Sequence, residues 1–150
     1  MGNEVTKGVI ALREHLNRPI MVKENGDTFY FKKLTMGAEE EIDKIILAHQ
    51  DTSLKPPADL TAESTEQEIE QYNKDVVDYT NRVQKALRHL TCALMKYMQT
   101  DEKGNPLFAQ EDDLYDLVNN VYAQNFFNAY TKFRNGRIGG VAEAEKRFQN

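Results

Sequence analysis

STEQEIEQYNKDVVDYTNRVQKALRHLTCALMKYM, residues 64–98, is the stretch whose reading decides the fold. Within it Ile69, Val76, Val83, Leu90 and Tyr97 recur every seven positions. Tyr72, Tyr79, Ala86 and Ala93 each fall three later, and Leu87 and Leu94 widen the same stripe. Spacings of three, four and seven put these side chains on one face of an α-helix. No Gly or Pro interrupts the run, and Ser64 with Gln67 three residues on has the pattern of a capping box. At 1.5 Å per residue the helix is expected to be roughly 50 Å long. A compact chain of this size has a radius of gyration of about 15 Å, so the helix either bends or reaches beyond the globule.

Toward the N-terminus the period changes. Ile20 and Val22 alternate, Asn25-Gly26 follows, and Phe29 and Phe31 return, which predicts a β-hairpin over 20–33. Asn-Gly suits a type I′ turn because both central residues need positive φ. Two strands are not stable alone in water, so the hairpin must lie on a helix or pair with another edge. Before it, Val5, Val9, Leu12 and Leu16 predict a short helix over 4–16. After it, Thr35 is the expected cap of a helix with an acidic first turn and an apolar face of Ile42, Ile45, Ile46 and His49. Lys55-Pro56-Pro57 then imposes extended backbone on a connecting loop over 51–61.

On the other side, Gly104 and Asn105 turn the chain back. Glu111-Asp112-Asp113 is expected to open a second large helix over 111–134, with Leu114, Leu117, Val118, Val121, Tyr122, Phe126, Ala129, Tyr130 and Phe133 on its buried face. Asn135-Gly136 and Gly139-Gly140 are expected to end it and leave a short, loosely held tail over 136–150. The fold class is therefore mainly α with one small N-terminal β-hairpin, a single domain over 1–135 in which the long central helix packs with a second large helix.

Composition sets the outer bounds. With 150 residues and 40% apolar content the chain can bury a real core. No apolar run exceeds four residues and none resembles a signal peptide near Met1, so neither a membrane partner nor export is expected and the cytoplasm fits. The single cysteine, Cys92, fits a reducing compartment. Net charge is −5, unevenly spread: residues 36–75 hold eleven acids against Lys44, Lys55 and Lys74. Past them, Asp78 is the only acid beside Arg82, Lys85, Arg88 and Lys96. The long helix is thus acidic at its start and basic toward its end, which complements the helix dipole and also allows its two ends to attract one another between subunits.

Candidate chemistry is sparse. His89 and Cys92 share a helix face, the minimum for a thiolate and its base or for two metal ligands, but a mid-helix thiol among Leu90, Leu94 and Met95 reads as a small buried hydrophobe. Glu39-Glu40-Glu41 and Glu111-Asp112-Asp113 sit at helix starts, where acids are expected on dipole grounds. Residues 101–105 echo a calcium loop but lack its alternating ligands and closing Glu, and read as a turn. Only two serines exist and no Gly-rich phosphate loop, so no enzyme, cofactor or metal is expected. Lys132, Arg134 and Arg137 interleave with Tyr130 and Phe133, yet the acidic pI of about 5.3 and the dipole explanation for terminal cations argue against nucleic acid.

What remains is protein binding. The segment RPIMVKENGDTFYFKKLTMGAEEEI, residues 18–42, resembles the N-terminal region of tail assembly chaperones from long-tailed bacteriophages. In that family strand, Gly-containing turn, strand and a Leu-Thr helix entry with acidic residues introduce a mainly helical body. The resemblance implies a protein that self-associates, coats the tape measure protein and helps recruit tail tube subunits. The alternatives are a virion structural part, such as a tail completion or head–tail connector protein, and a small regulatory protein. The residues expected to meet partners are Val76, Tyr79, Val83, Phe126 and Tyr130, with Glu66, Glu68 and Glu70 steering basic segments.

Overall fold

The computed structural model describes Gly8 and residues 18–149, with side chains described as far as Gly136. The helix expected over 4–16 falls, Gly8 apart, outside the described residues. The chain then runs as β1 (Ile20–Glu24), β2 (Asp27–Phe31), α1 (Met36–Ala48), α2 (Glu66–Met98), β3 (Gln99–Thr100), α3 (Leu114–Leu117) and α4 (Asn120–Gln149). It is mainly helical with a small antiparallel sheet near the N-terminus, as the patterning predicts.

The hairpin forms where expected. Asn25 and Gly26 adopt φ of 46° and 86°, and β1 pairs β2 with Val22 opposite Phe29 and Ile20 opposite Phe31. Residues facing one another across an antiparallel pair share a sheet face, so the four form an apolar surface for a helix to cover. α4 packs on both strands, with Phe29 and Phe31 buried and Val22 half-buried, while Ile20 at the edge stays 38% exposed. The sheet has a third member that patterning missed. α2 passes without a loop into extended backbone at Gln99 (φ −81°, ψ 129°), and Gln99 and Thr100 pair with Phe31 and Tyr30. Two residues carry no periodicity, so only tertiary structure reveals β3.

Helix starts follow capping chemistry. Thr35 Oγ1 accepts from Ala38 N at 3.1 Å, opening α1 as predicted. The capping box of α2 lies one residue later than expected. Thr65 Oγ1 accepts from Glu68 N (3.2 Å), and the Glu68 carboxylate accepts from Thr65 N (3.4 Å). Ser64 instead accepts from Thr61 N in the preceding turn. Both registers offer the motif, and the helix dipole favours the one whose third residue is a carboxylate.

The helix expected over 111–134 is corrected to two. Asp113 caps the single turn of α3, Val118 is extended, and Asn119 Oδ1 accepts from Tyr122 N at 2.8 Å to start α4 afresh. The break takes Leu117 and Val121 off the buried face, leaving them 68% and 71% exposed. The C-terminal boundary is corrected as well, since α4 stays helical past Gly136 and the Gly139-Gly140 pair to Gln149. Each Gly costs about 1 kcal/mol relative to Ala in a helix, and the Ala, Glu, Lys and Arg residues of 142–147 restore the propensity beyond them.

The core gathers where the sheet, α1, the end of α2 and α4 meet. Phe29, Phe31, Ile42, Leu94, Met95, Met98, Leu114, Phe126, Ala129 and Tyr130 are buried together. Phe29 and Phe126 meet edge to face with centroids 5.9 Å apart, and Phe31 stacks on Phe133 at 5.0 Å. Burying each large side chain contributes about 1.5–3 kcal/mol. Buried Asn125 ties α4 to the hairpin turn: its Nδ2 donates to Asp27 at 2.9 Å and its Oδ1 accepts from Asn25 Nδ2 at 3.3 Å.

Candidate protein-interaction surface

Every buried residue of α2 lies in its last eight: Thr91, Leu94, Met95 and Met98. At 1.5 Å per residue, about 35 Å of helix precedes them. This earlier part carries the stripe of hydrophobic residues. Ile69, Val77, Val83 and Leu87 are 41%, 60%, 37% and 44% exposed, and Val76 and Tyr79 are half-buried.

Part of that cover comes from the segment before the helix. Arg82 Nη2 donates to Asp51 Oδ2 at 3.3 Å and to Ser53 Oγ at 3.4 Å, fixing one end of residues 51–64 beside the middle of α2. The other end is the Thr65 cap, seventeen residues back and thus roughly 25 Å away along the axis. The segment therefore runs back along α2 as a strap, with Leu54 and Pro57 half-buried. Asp51 is held below the usual carboxylate range, first by the Ser53 hydroxyl and amide, with a further contribution from Arg82.

The expected partner-binding residues divide. Glu66, Glu68 and Glu70 are exposed on the first turns of α2, and Val76, Tyr79 and Val83 follow along the same arm. Phe126 and Tyr130 belong elsewhere: they are 0% and 7% exposed in the chain's own core, on a different helix, and are corrected from contact residues to core residues. Both satisfy a periodicity that a core face and a docking face share, so spacing alone does not separate the two. Sequence reasoning also missed a groove between α2 and α4, ≈ 360 Å³, lined by Gln84, Leu87, Arg88, Ala123, Gln124 and Phe127. Its far wall depends on where α4 begins, and Asn119-Asn120 was the signal for that start.

The other candidates are absorbed by structure. The His89 ring stacks on Tyr115 with centroids 4.5 Å apart. Burial, and then the Asp113 carboxylate, push the Cys92 thiol upward, opposite to the shift a nucleophile needs. Among the described residues no group of three or more His, Cys, Asp or Glu is placed to hold a metal. In the turn, Asp101 Oδ1 accepts from the Lys103 and Asn105 amides, both at 2.9 Å, so the carboxylate is used in closing the loop. At the basic end, Lys132 pairs with Glu24, Arg134 lies over the Tyr130 ring, and Phe133 is occupied by Phe31.

No family model matches the chain, and no curated protein or solved structure matches it. No described helix is long and apolar enough to cross a membrane.

Proposed function

We propose that this protein works without catalysis, as a phage tail assembly chaperone. In the host cytoplasm it self-associates and holds the tape measure protein while tail tube subunits are recruited. The observation that supports this most is the early part of α2, a stripe of Ile69, Val76, Tyr79 and Val83 led by Glu66, Glu68 and Glu70, in which Ile69 and Val83 stay exposed beside the strap. An amphipathic helix offered in this way suits a helical partner, and its acidic start steers basic segments. Each copy presents a small area, so occupancy depends on many copies aligned along one elongated chain.

The test is co-expression with the neighbouring tape measure protein followed by pull-down at low and high salt. Association that weakens with salt is expected. No association in either condition, or a fixed copy number of this protein in mature virions, overturns the proposal in favour of a structural component.

A further inference from the structure

The buried line of α2 does not stop where the core stops. Stepping back by three and four from Met98, Leu94 and Thr91, the same line of the helix passes Leu87, Gln84, Thr80, Val76, Asn73 and Ile69. α4 faces it around Gln84–Thr91, where the ≈ 360 Å³ groove opens. Beyond the groove Thr80, Asn73 and Ile69 on this line are exposed and Val76 is half-buried.

Charge says what covers it. Ile69 and Leu87 are eighteen residues apart, five full turns, and so project in the same direction; Glu70 and Arg88 are also eighteen apart and share the flank beside them. Glu66, one turn before Glu70, lies on that flank as well. The three ion pairs among the described residues involve none of these charges. A parallel twofold neighbour would turn its opposite flank toward these charges, so Glu70 and Arg88 would not meet across it. An antiparallel copy related by a twofold axis near residue 78 sets Ile69 on the partner's Leu87 and Glu70 on the partner's Arg88, each twice.

We infer that a second copy of this chain docks antiparallel along α2, with its Ile69 entering the groove beside Leu87, Ala123 and Phe127 and its Glu66 and Glu70 flanking Arg88. In the register set by the charges, the groove lies where the first turns of the second copy arrive. The interface leaves the strap side of α2, with Tyr72 and Tyr79, for other contacts. It rests on the self-association part of the proposed function and not on the identity of the tape measure partner.

The test uses the exposed charges, whose replacement leaves the core intact. Sedimentation and light scattering over a concentration series compare the full chain with Glu70→Arg and Arg88→Glu, circular dichroism confirming the fold of each. The parent dimerises, more weakly at high salt, and each single variant weakens dimerisation by about tenfold or more, because like charges then face one another. Mixing the two single variants restores a heterodimer, because positions 70 and 88 then carry opposite charges across both ends of the interface. Parent-like association of both single variants places the contact elsewhere and overturns this interface while self-association stands. A parent that stays monomeric throughout overturns self-association itself. Failure of the mixture to pair overturns the antiparallel register.

Discussion

Gly26 shows how little space has to do with a turn residue. A Cβ added there would meet nothing within 4 Å, yet the backbone φ is +86°, a region that side chains branched at Cβ strongly disfavour. Gly26→Val is therefore expected to lose about 1–2 kcal/mol through the backbone alone. Gly26→Asn, which tolerates positive φ, should lose less. Urea midpoints at equal slope measure both, and a Val variant as stable as the parent would rule out the type I′ turn as a constraint. Gln99 poses the converse case. It is 2% exposed, its Nε2 donates to the Tyr122 hydroxyl at 2.7 Å, and its Oε1 has no partner among the described residues. A buried, unpaired carbonyl costs about 1–3 kcal/mol, whereas the half-buried Tyr122 hydroxyl can turn to water. Gln99→Leu is expected to hold or raise the melting temperature. A fall of several degrees would mean that the Gln99–Tyr122 bond outweighs the unpaired oxygen.

Among the elements, α2 divides into a held end and a free end. Residues 91–98 are locked by the core, whereas the turns from Glu66 to Val83 keep their backbone bonds with little tertiary support. In dilute solution, amide exchange should be fastest over 66–80 and slowest over 90–98, because local opening follows the apolar contacts that must be broken. Uniform protection along α2 at low concentration would show that the strap alone secures the arm. The helix itself was legible, since an unbroken seven-residue pattern has no competing secondary structure, and so was the hairpin, because Asn25-Gly26 marks a turn with a backbone requirement. The split at Val118 was not. The apolar period runs on through Leu117 and Val121, and only the Asn119 cap and the extended backbone at Val118 break it. In the candidate surface the acids of α2 could be located from spacing, but Phe126 and Tyr130 could not be assigned to core or surface before the hairpin's Phe29 and Phe31 were seen to claim that face.

At the scale of the whole molecule, the connections that position the elements rely on ionised carboxylates. Asp51 anchors the strap to α2, and Asp101 closes the turn that follows β3, where Asn105 N donates to its carboxylate and Asp101 N donates back to Asn105 O at 2.8 Å. Both groups are held below the usual range: Asp101 first by the Asn105 amide and then by the Lys103 amide, Asp51 first by Ser53. A carboxyl whose folded pKa lies below its unfolded value of about 3.9 binds fewer protons in the native state. Its contribution is therefore complete above about pH 4–5 and is lost as pH falls through the folded value. Stability should thus decline on acidification below about pH 4, with these two sites contributing in the same direction. Asp51 is exposed, so the Arg82 part of the effect should shrink in salt, while the backbone amides around half-buried Asp101 keep theirs. Asp101→Ala separates this account from a general effect of acid. The variant should unfold at lower urea than the parent at pH 7, and the gap should narrow as pH is lowered and the parent's own carboxylate becomes protonated. A gap that stays constant down to the acid transition would show that Asp101 acts through shape rather than charge. A parent whose midpoint rises below pH 4 would reverse the sign and remove the anchoring role from both carboxylates.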